Sequence, residues 1–231
     1  MPKCINCGYE GTGKYCANCT QPYQIKRITI SSLIHEVLHF FTHVDKGFLY
    51  TLKQLAIHPG KMQKKYLAGE RVRHQKPFSM FFLCATITAL AIYWTTRPAH
   101  EVSPFDETRI HFYRHYYVIT QALLIPYYSL VVWLLFHNKR FNYAESLVLF
   151  AYTVAFALLL VILPNLINLI PHNFKTEIVE IPLLAVYLTW TNLNFFNDQP
   201  AWTVIIKSIL SLLACWFSAY FITNFIIHQM M

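Results

Sequence analysis

Cys4-Ile-Asn-Cys7 and Cys16-Ala-Asn-Cys19 place two Cys-x-x-Cys turns eight residues apart at the head of the chain. Each such turn presents two thiolates from one tight loop, and together they supply the four soft ligands of a closed tetrahedral Zn²⁺ site. Gly8 follows the first pair, where a knuckle needs the chain to turn with its amides toward sulfur. The expectation is a zinc ribbon over residues 1–24, too small to fold without its metal. Four protein ligands leave no open coordination position, so the ion would be structural rather than catalytic. The alternatives are two disulfides, which conflict with a reducing compartment, and a rubredoxin-like iron site, which spacing does not separate from zinc. Cys84 and Cys215 fall inside apolar runs and read as small buried hydrophobes.

His35, His39 and His43 form an i, i+4, i+8 row that would share one side of a helix. Such a row is a possible secondary site, able to bind a metal or haem or to sense pH near lipid head groups. No carboxylate stands three or four residues on to complete a site, so a polar border of an interfacial helix is the simpler reading. With His111 and His115, the row is similar to the His-x-x-x-His boxes of membrane di-iron hydroxylases and desaturases. The His-x-x-His-His boxes that chemistry also needs are absent from the sequence.

The elements that must carry these residues are those of a membrane protein. Of 231 residues, 55% are hydrophobic and only 13% charged, which places the chain in the membrane class. The net charge of +8 lies wholly in residues 1–77, with twelve Lys/Arg against four Asp/Glu, while residues 78–231 hold seven of each. Beside spanning segments, this asymmetry fits the cytoplasmic excess of Lys and Arg better than nucleic-acid binding, and no nucleic-acid partner is expected. The first thirty residues hold four cysteines and no apolar core long enough for a cleavable signal, so the N terminus is expected in the cytoplasm.

Residues 25–77 read as a basic amphipathic segment on the inner membrane surface. Apolar residues from Ile30 to Val44 recur at helical spacing after Ser31 or Ser32, then Phe48 to Ile57 runs to Pro59-Gly60, and Lys61 to Leu67 closes at Gly69. None of these stretches has the roughly 20 apolar residues needed to span. Lys61, Lys64, Lys65, Arg71, Arg73 and Lys76 are the candidate lipid head-group contacts.

Residues 78–231 form the expected α-helical transmembrane domain, with five spans at 78–96, 116–136, 146–170, 181–196 and 203–227. The fourth is the weakest, because it is short and carries Asn192 and Asn194. With the N terminus inside, fifteen Lys/Arg fall on the inner side and four on the outer side. Asn165 and Asn168 follow Pro164 in the third span and are candidates for a polar path, or for helix packing where the proline frees backbone carbonyls.

The block Gly47-Phe48-Leu49-Tyr50-Thr51-Leu52, Leu55, Pro59-Gly60-Lys61, Tyr66, Gly69, Arg71 and Pro77, behind two Cys-x-x-Cys pairs, resembles a bacterial membrane-protein family, domain of unknown function 3667. The resemblance covers residues 4 to about 80. It departs at Thr20, where the family's second knuckle usually has Gly. It implies a bacterial inner-membrane protein and supplies no activity. The leading expectation is a non-enzymatic polytopic accessory protein that contacts membrane lipids and docks another membrane protein or complex. A small-solute carrier or channel and a lipid-acting enzyme using the histidines are the alternatives.

Overall fold

The computed structural model describes residues 1–39, 47–95, 104–136, 141–167 and 176–230. Regular structure among them is helical: α1 (Ile30–His39), α2 (Phe48–Ile57), α3 (Lys61–Ala68), α4 (Pro77–Thr95), α5 (Pro104–Leu135), α6 (Tyr143–Ile167), α7 (Glu177–Phe195) and α8 (Ala201–Met230). The N-terminal ribbon has only the isolated bridges Lys3–Glu10 and Tyr15–Pro22, one beside each knuckle.

Local sequence sets the helix ends. Thr29 and Ser32 bond each other's backbone amides at the start of α1, so the cap is Thr29 and not Ser31 or Ser32. Asn142 and Glu145 form a reciprocal capping box at α6, each side chain accepting from the other's amide at 2.8 Å. Gly69 ends α3 in the left-handed region, φ +119°, as a helix C-terminus prefers. Helix α5 begins at Pro104, although its apolar run begins at Tyr116. Asp106, Glu107, Arg109 and Arg114 bar that first part from hydrocarbon, but they do not prevent it from being helical.

The long helices alternate in direction. The N-termini of α4 and α6 lie beside the linker that leaves the ribbon, because Arg71 bonds the Lys26 carbonyl and Asn142 the Ile28 carbonyl. The C-termini of α5 and α7 reach the same end, where Phe136 stacks on Phe196 at 4.2 Å. At the opposite end Asn165 of α6 meets Glu180 of α7. Among the described residues, three helices are long and apolar enough to cross a membrane: Pro77–Thr95, Tyr143–Leu166 and Ala201–Phe225. The apolar part of α5, Ile119–Leu135, is shorter. Hydroxyls and amides join neighbours, as in Ser146 to the Ser129 carbonyl at 3.0 Å and Asn192 to Ser208 at 3.0 Å.

Helices α2 and α3 do more than lie on a surface. Leu55, Met62 and Tyr66 are buried in one cluster with Met80, Phe81 and Tyr152 of α4 and α6. The Pro59-Gly60 turn seats against the last turn of α7, and a Cβ on Gly60 would stand 2.2 Å from the Thr191 carbonyl oxygen. Only a glycine lets the two backbones approach this closely, and its φ of +77° also requires one. Leu55, Met62 and Tyr66, apolar residues of this amphipathic segment, are thus packed on the bundle.

Candidate metal centre and the platform that carries it

The ribbon repeats one turn twice. Cys4 N–H bonds the Tyr9 carbonyl and Gly8 N–H the Cys4 carbonyl, both at 2.8 Å; twelve residues on, Cys16 N–H bonds Gln21 and Thr20 N–H bonds Cys16, at 2.8 and 2.9 Å. The repeat makes Thr20 the counterpart of Gly8. Both occupy the left-handed region, φ +60° and +76°, so the second knuckle keeps the first one's geometry at the expense of a β-branched residue there. Tyr23 closes the small domain by donating to the Tyr9 carbonyl at 3.5 Å.

Four sulfurs meet between the turns, all within 4.8 Å of one another. The shortest contacts cross the knuckles, Cys4 to Cys19 and Cys7 to Cys16, each at 3.5 Å. A disulfide needs about 2.05 Å, and all four are free thiols. Four sulfurs around one ion at about 2.3 Å stand roughly 3.8 Å apart. The spacing found here fits that arrangement, and among the described residues this is the cluster able to hold a metal ion. The backbone supports negative charge on it. At Cys19 burial raises the thiol, but the Asn6 side chain, the Gln21 backbone and the neighbouring thiols outweigh that and bring it down to about 6. At Cys7 the Tyr9 backbone lowers the thiol, but burial and the protons shared with Cys19 and Cys16 hold it up at about 11. A metal ion would displace those shared protons.

The ribbon is tied to the bundle by residues 25–29. Arg27 forks onto Glu145 with two 2.8 Å contacts, Nε to Oε1 and the terminal nitrogen to Oε2. The same carboxylate caps α6, so one side chain joins the linker to the start of a candidate span. Ile25 lies over Gly69, where a Cβ would be 2.2 Å from its Cδ1.

The predicted head-group cations have varied positions. Lys61, Lys65, Arg73 and Lys76 are exposed. Lys64 donates to Asn197 in the α7–α8 connection at 2.6 Å, and Lys65 stands 4.0 Å from Glu70. Arg71 holds the Tyr66 and Lys26 carbonyls, both at 3.2 Å. Of the histidine row, His35 is exposed on α1, while the His39 side chain and His43 lie outside the described residues. Asn165 gives its amide hydrogens to the Val161 carbonyl and to Glu180, each at 2.8 Å, and so joins α6 to α7; Asn168 lies outside the described residues.

Sequence reasoning missed the polar interior beneath the ribbon. Thr51, Gln63 and Gln75 are fully buried and His74 nearly so. Thr51 accepts from the Gln75 amide at 2.8 Å, and Tyr152 donates to the Gln75 carbonyl. The signal was Gln63 and the pair His74-Gln75 inside an otherwise basic stretch, where two amides and an imidazole read as surface. The Arg27–Glu145 tie was half legible, as Asn142-x-x-Glu145 carries a capping-box pattern.

Residues 45–89 match a family model described as a protein of unknown function, DUF3667. The matched stretch contains α2, α3, the connection at 69–76 and the first part of α4, which is the portion seated in the bundle beside the ribbon. No curated protein and no solved structure matches the chain.

Proposed function

We propose that this chain is an accessory protein of the bacterial inner membrane, in which a cytoplasmic zinc ribbon mounted on the membrane domain docks a protein partner. Residues 1–24 form the ribbon, 25–77 the platform and 78–231 the membrane domain. Zn²⁺ is structural and is held by Cys4, Cys7, Cys16 and Cys19. The observation that carries the reading is the Arg27–Glu145 fork, which fixes a domain too small for chemistry of its own at one end of the bundle. A closed four-thiolate site gives rigidity, and rigidity lowers the ordering cost of binding a partner. Ile5, Tyr9 and Tyr15 are exposed on that ribbon and offer an apolar, partly aromatic face. The excess of Lys and Arg at this end favours the cytoplasmic side.

Co-purification of the tagged full-length chain from native membranes tests the reading, with Cys16→Ser and Arg27→Gln alongside. The proposal expects a stoichiometric companion that both variants lose while remaining in the membrane. A chain that runs alone, with elution unchanged in the variants, sinks it.

A further inference from the structure

An open cleft of about 740 Å³ lies beside the ribbon linker, between α1, the start of α2, α3 and the connection at 71–76. That volume suits a head-group-sized ligand. Arg71, Arg73 and Lys76 line it with the hydroxyl-bearing Tyr50 and Tyr66, and Glu36 contributes a carboxylate. Among the described lining residues, three cations stand against one carboxylate. Its lining apart from Glu36 falls within the stretch matched by the family model.

Two features distinguish this cleft from a solvated basic patch. Arg71 is pre-set: its guanidinium lies 5.6 Å over the Tyr66 ring and bonds the Tyr66 and Lys26 carbonyls, which uses two of its five N–H donors. His74 lines the cleft with only 7% of its surface exposed, and its Nδ1 has no hydrogen-bond partner. Burial, with a smaller effect of Lys65, pushes that imidazole down to about 4, so it is neutral near pH 7. The ring rests against Tyr50 and Tyr66, with centroids at 5.2 and 6.3 Å. Behind it, the Thr51–Gln75–Tyr152 hydrogen bonds hold the connection to α2 and α6.

We propose that this cleft binds a phosphate-bearing anion, with Arg71 and Arg73 gripping its oxygens, Lys76 and Tyr50 completing the shell, and the neutral His74 ring forming part of its wall. Guanidinium forks match tetrahedral oxyanions, and tyrosine hydroxyls donate to them without adding charge. The cleft opens immediately before Pro77, the first residue of a candidate span, so a phospholipid head group and a soluble phosphate ester can both reach it. The site does not depend on the ribbon's metal or on a docked partner.

The test uses the full-length protein, freed of lipid in neutral detergent. Binding is titrated with vesicles of phosphatidylglycerol in phosphatidylcholine, with vesicles of phosphatidylcholine alone, and with inorganic phosphate. Saturable binding of the anionic vesicles alone assigns a lipid head group, and saturable binding of inorganic phosphate assigns a soluble source; either supports the site. Arg73→Gln should weaken it by roughly tenfold, as loss of a charge-assisted contact does. Lys14→Gln, an exposed cation of the N-terminal segment outside the cleft, should change it by less than about twofold. Tyr50→Phe removes one donor and no charge, and it carries the test should Arg73→Gln misfold. No saturable binding of either probe overturns the proposal, as do equal losses in Arg73→Gln and Lys14→Gln.

Discussion

Replacing Gly60 by Ala asks whether the α2–α3 turn is seated in the bundle. The added Cβ would stand 2.2 Å from the Thr191 carbonyl oxygen, 2.7 Å from the Phe195 nitrogen and 2.8 Å from the Asn194 Cβ. Two of these neighbours are backbone, so no side chain can swing away, and the turn must lift from α7 by about 1 Å to restore van der Waals contact. Overpacking of this kind costs about 1–3 kcal/mol. The φ of +77° adds about 1–2 kcal/mol for any residue with a Cβ. Together they predict a loss of about 2–5 kcal/mol, or an apparent melting temperature lower by roughly 5–15 °C for a chain of this size. Thermal unfolding of the detergent-solubilised protein, followed by circular dichroism, reads the shift. Gly13→Ala is the control, since its nearest new contact is an ordinary 3.4 Å. A Gly60→Ala protein that melts with the control would refute the seating of α2–α3 on α7.

Three further outcomes follow from the same structure. Cys16→Ser removes a buried ligand, so metal measured by plasma mass spectrometry should fall from one ion per chain to nearly none, with residues 1–24 becoming protease-sensitive. Thr20→Gly relieves a left-handed β-branched residue at φ +60° and should slow metal loss to a chelator by roughly fivefold, equivalent to about 1 kcal/mol; an unchanged rate would show that the turn is unstrained. His74, lowered by burial and Lys65 from 6.5 to about 4, favours the neutral form when folded. Its contribution is complete above pH 6.5 and is lost as pH falls toward 4. The melting temperature of the native chain should therefore drop more steeply across that window than that of His74→Gln, and parallel curves would exclude the histidine as the cause.

The knuckles were legible because ligand spacing is local: two Cys-x-x-Cys turns determine where four sulfurs can go once the chain closes. The long apolar runs likewise marked α4, α6 and α8, where composition alone decides the environment. The seating of α2 and α3 was hidden because apolar residues such as Leu55, Met62 and Tyr66 read alike whether lipid or protein covers them. The helical extension of α5 was hidden for the opposite reason, since charge that excludes a segment from hydrocarbon leaves its helix propensity intact. Of the cleft, the sequence marked only the cations Arg71, Arg73 and Lys76. Glu36, Tyr50, Tyr66 and His74 are separated in sequence and meet only when the 71–76 connection folds back over α2 and α3.

The rigid mounting of a metal-held ribbon is most directly tested by a distance distribution from pulsed electron resonance. Labels carried by non-natural residues at Lys14 on the ribbon and Lys61 on α3 avoid the native cysteines, and both positions are exposed. One narrow distance that broadens when a chelator removes the metal is the predicted result. A broad distribution that is the same with and without metal would contradict it.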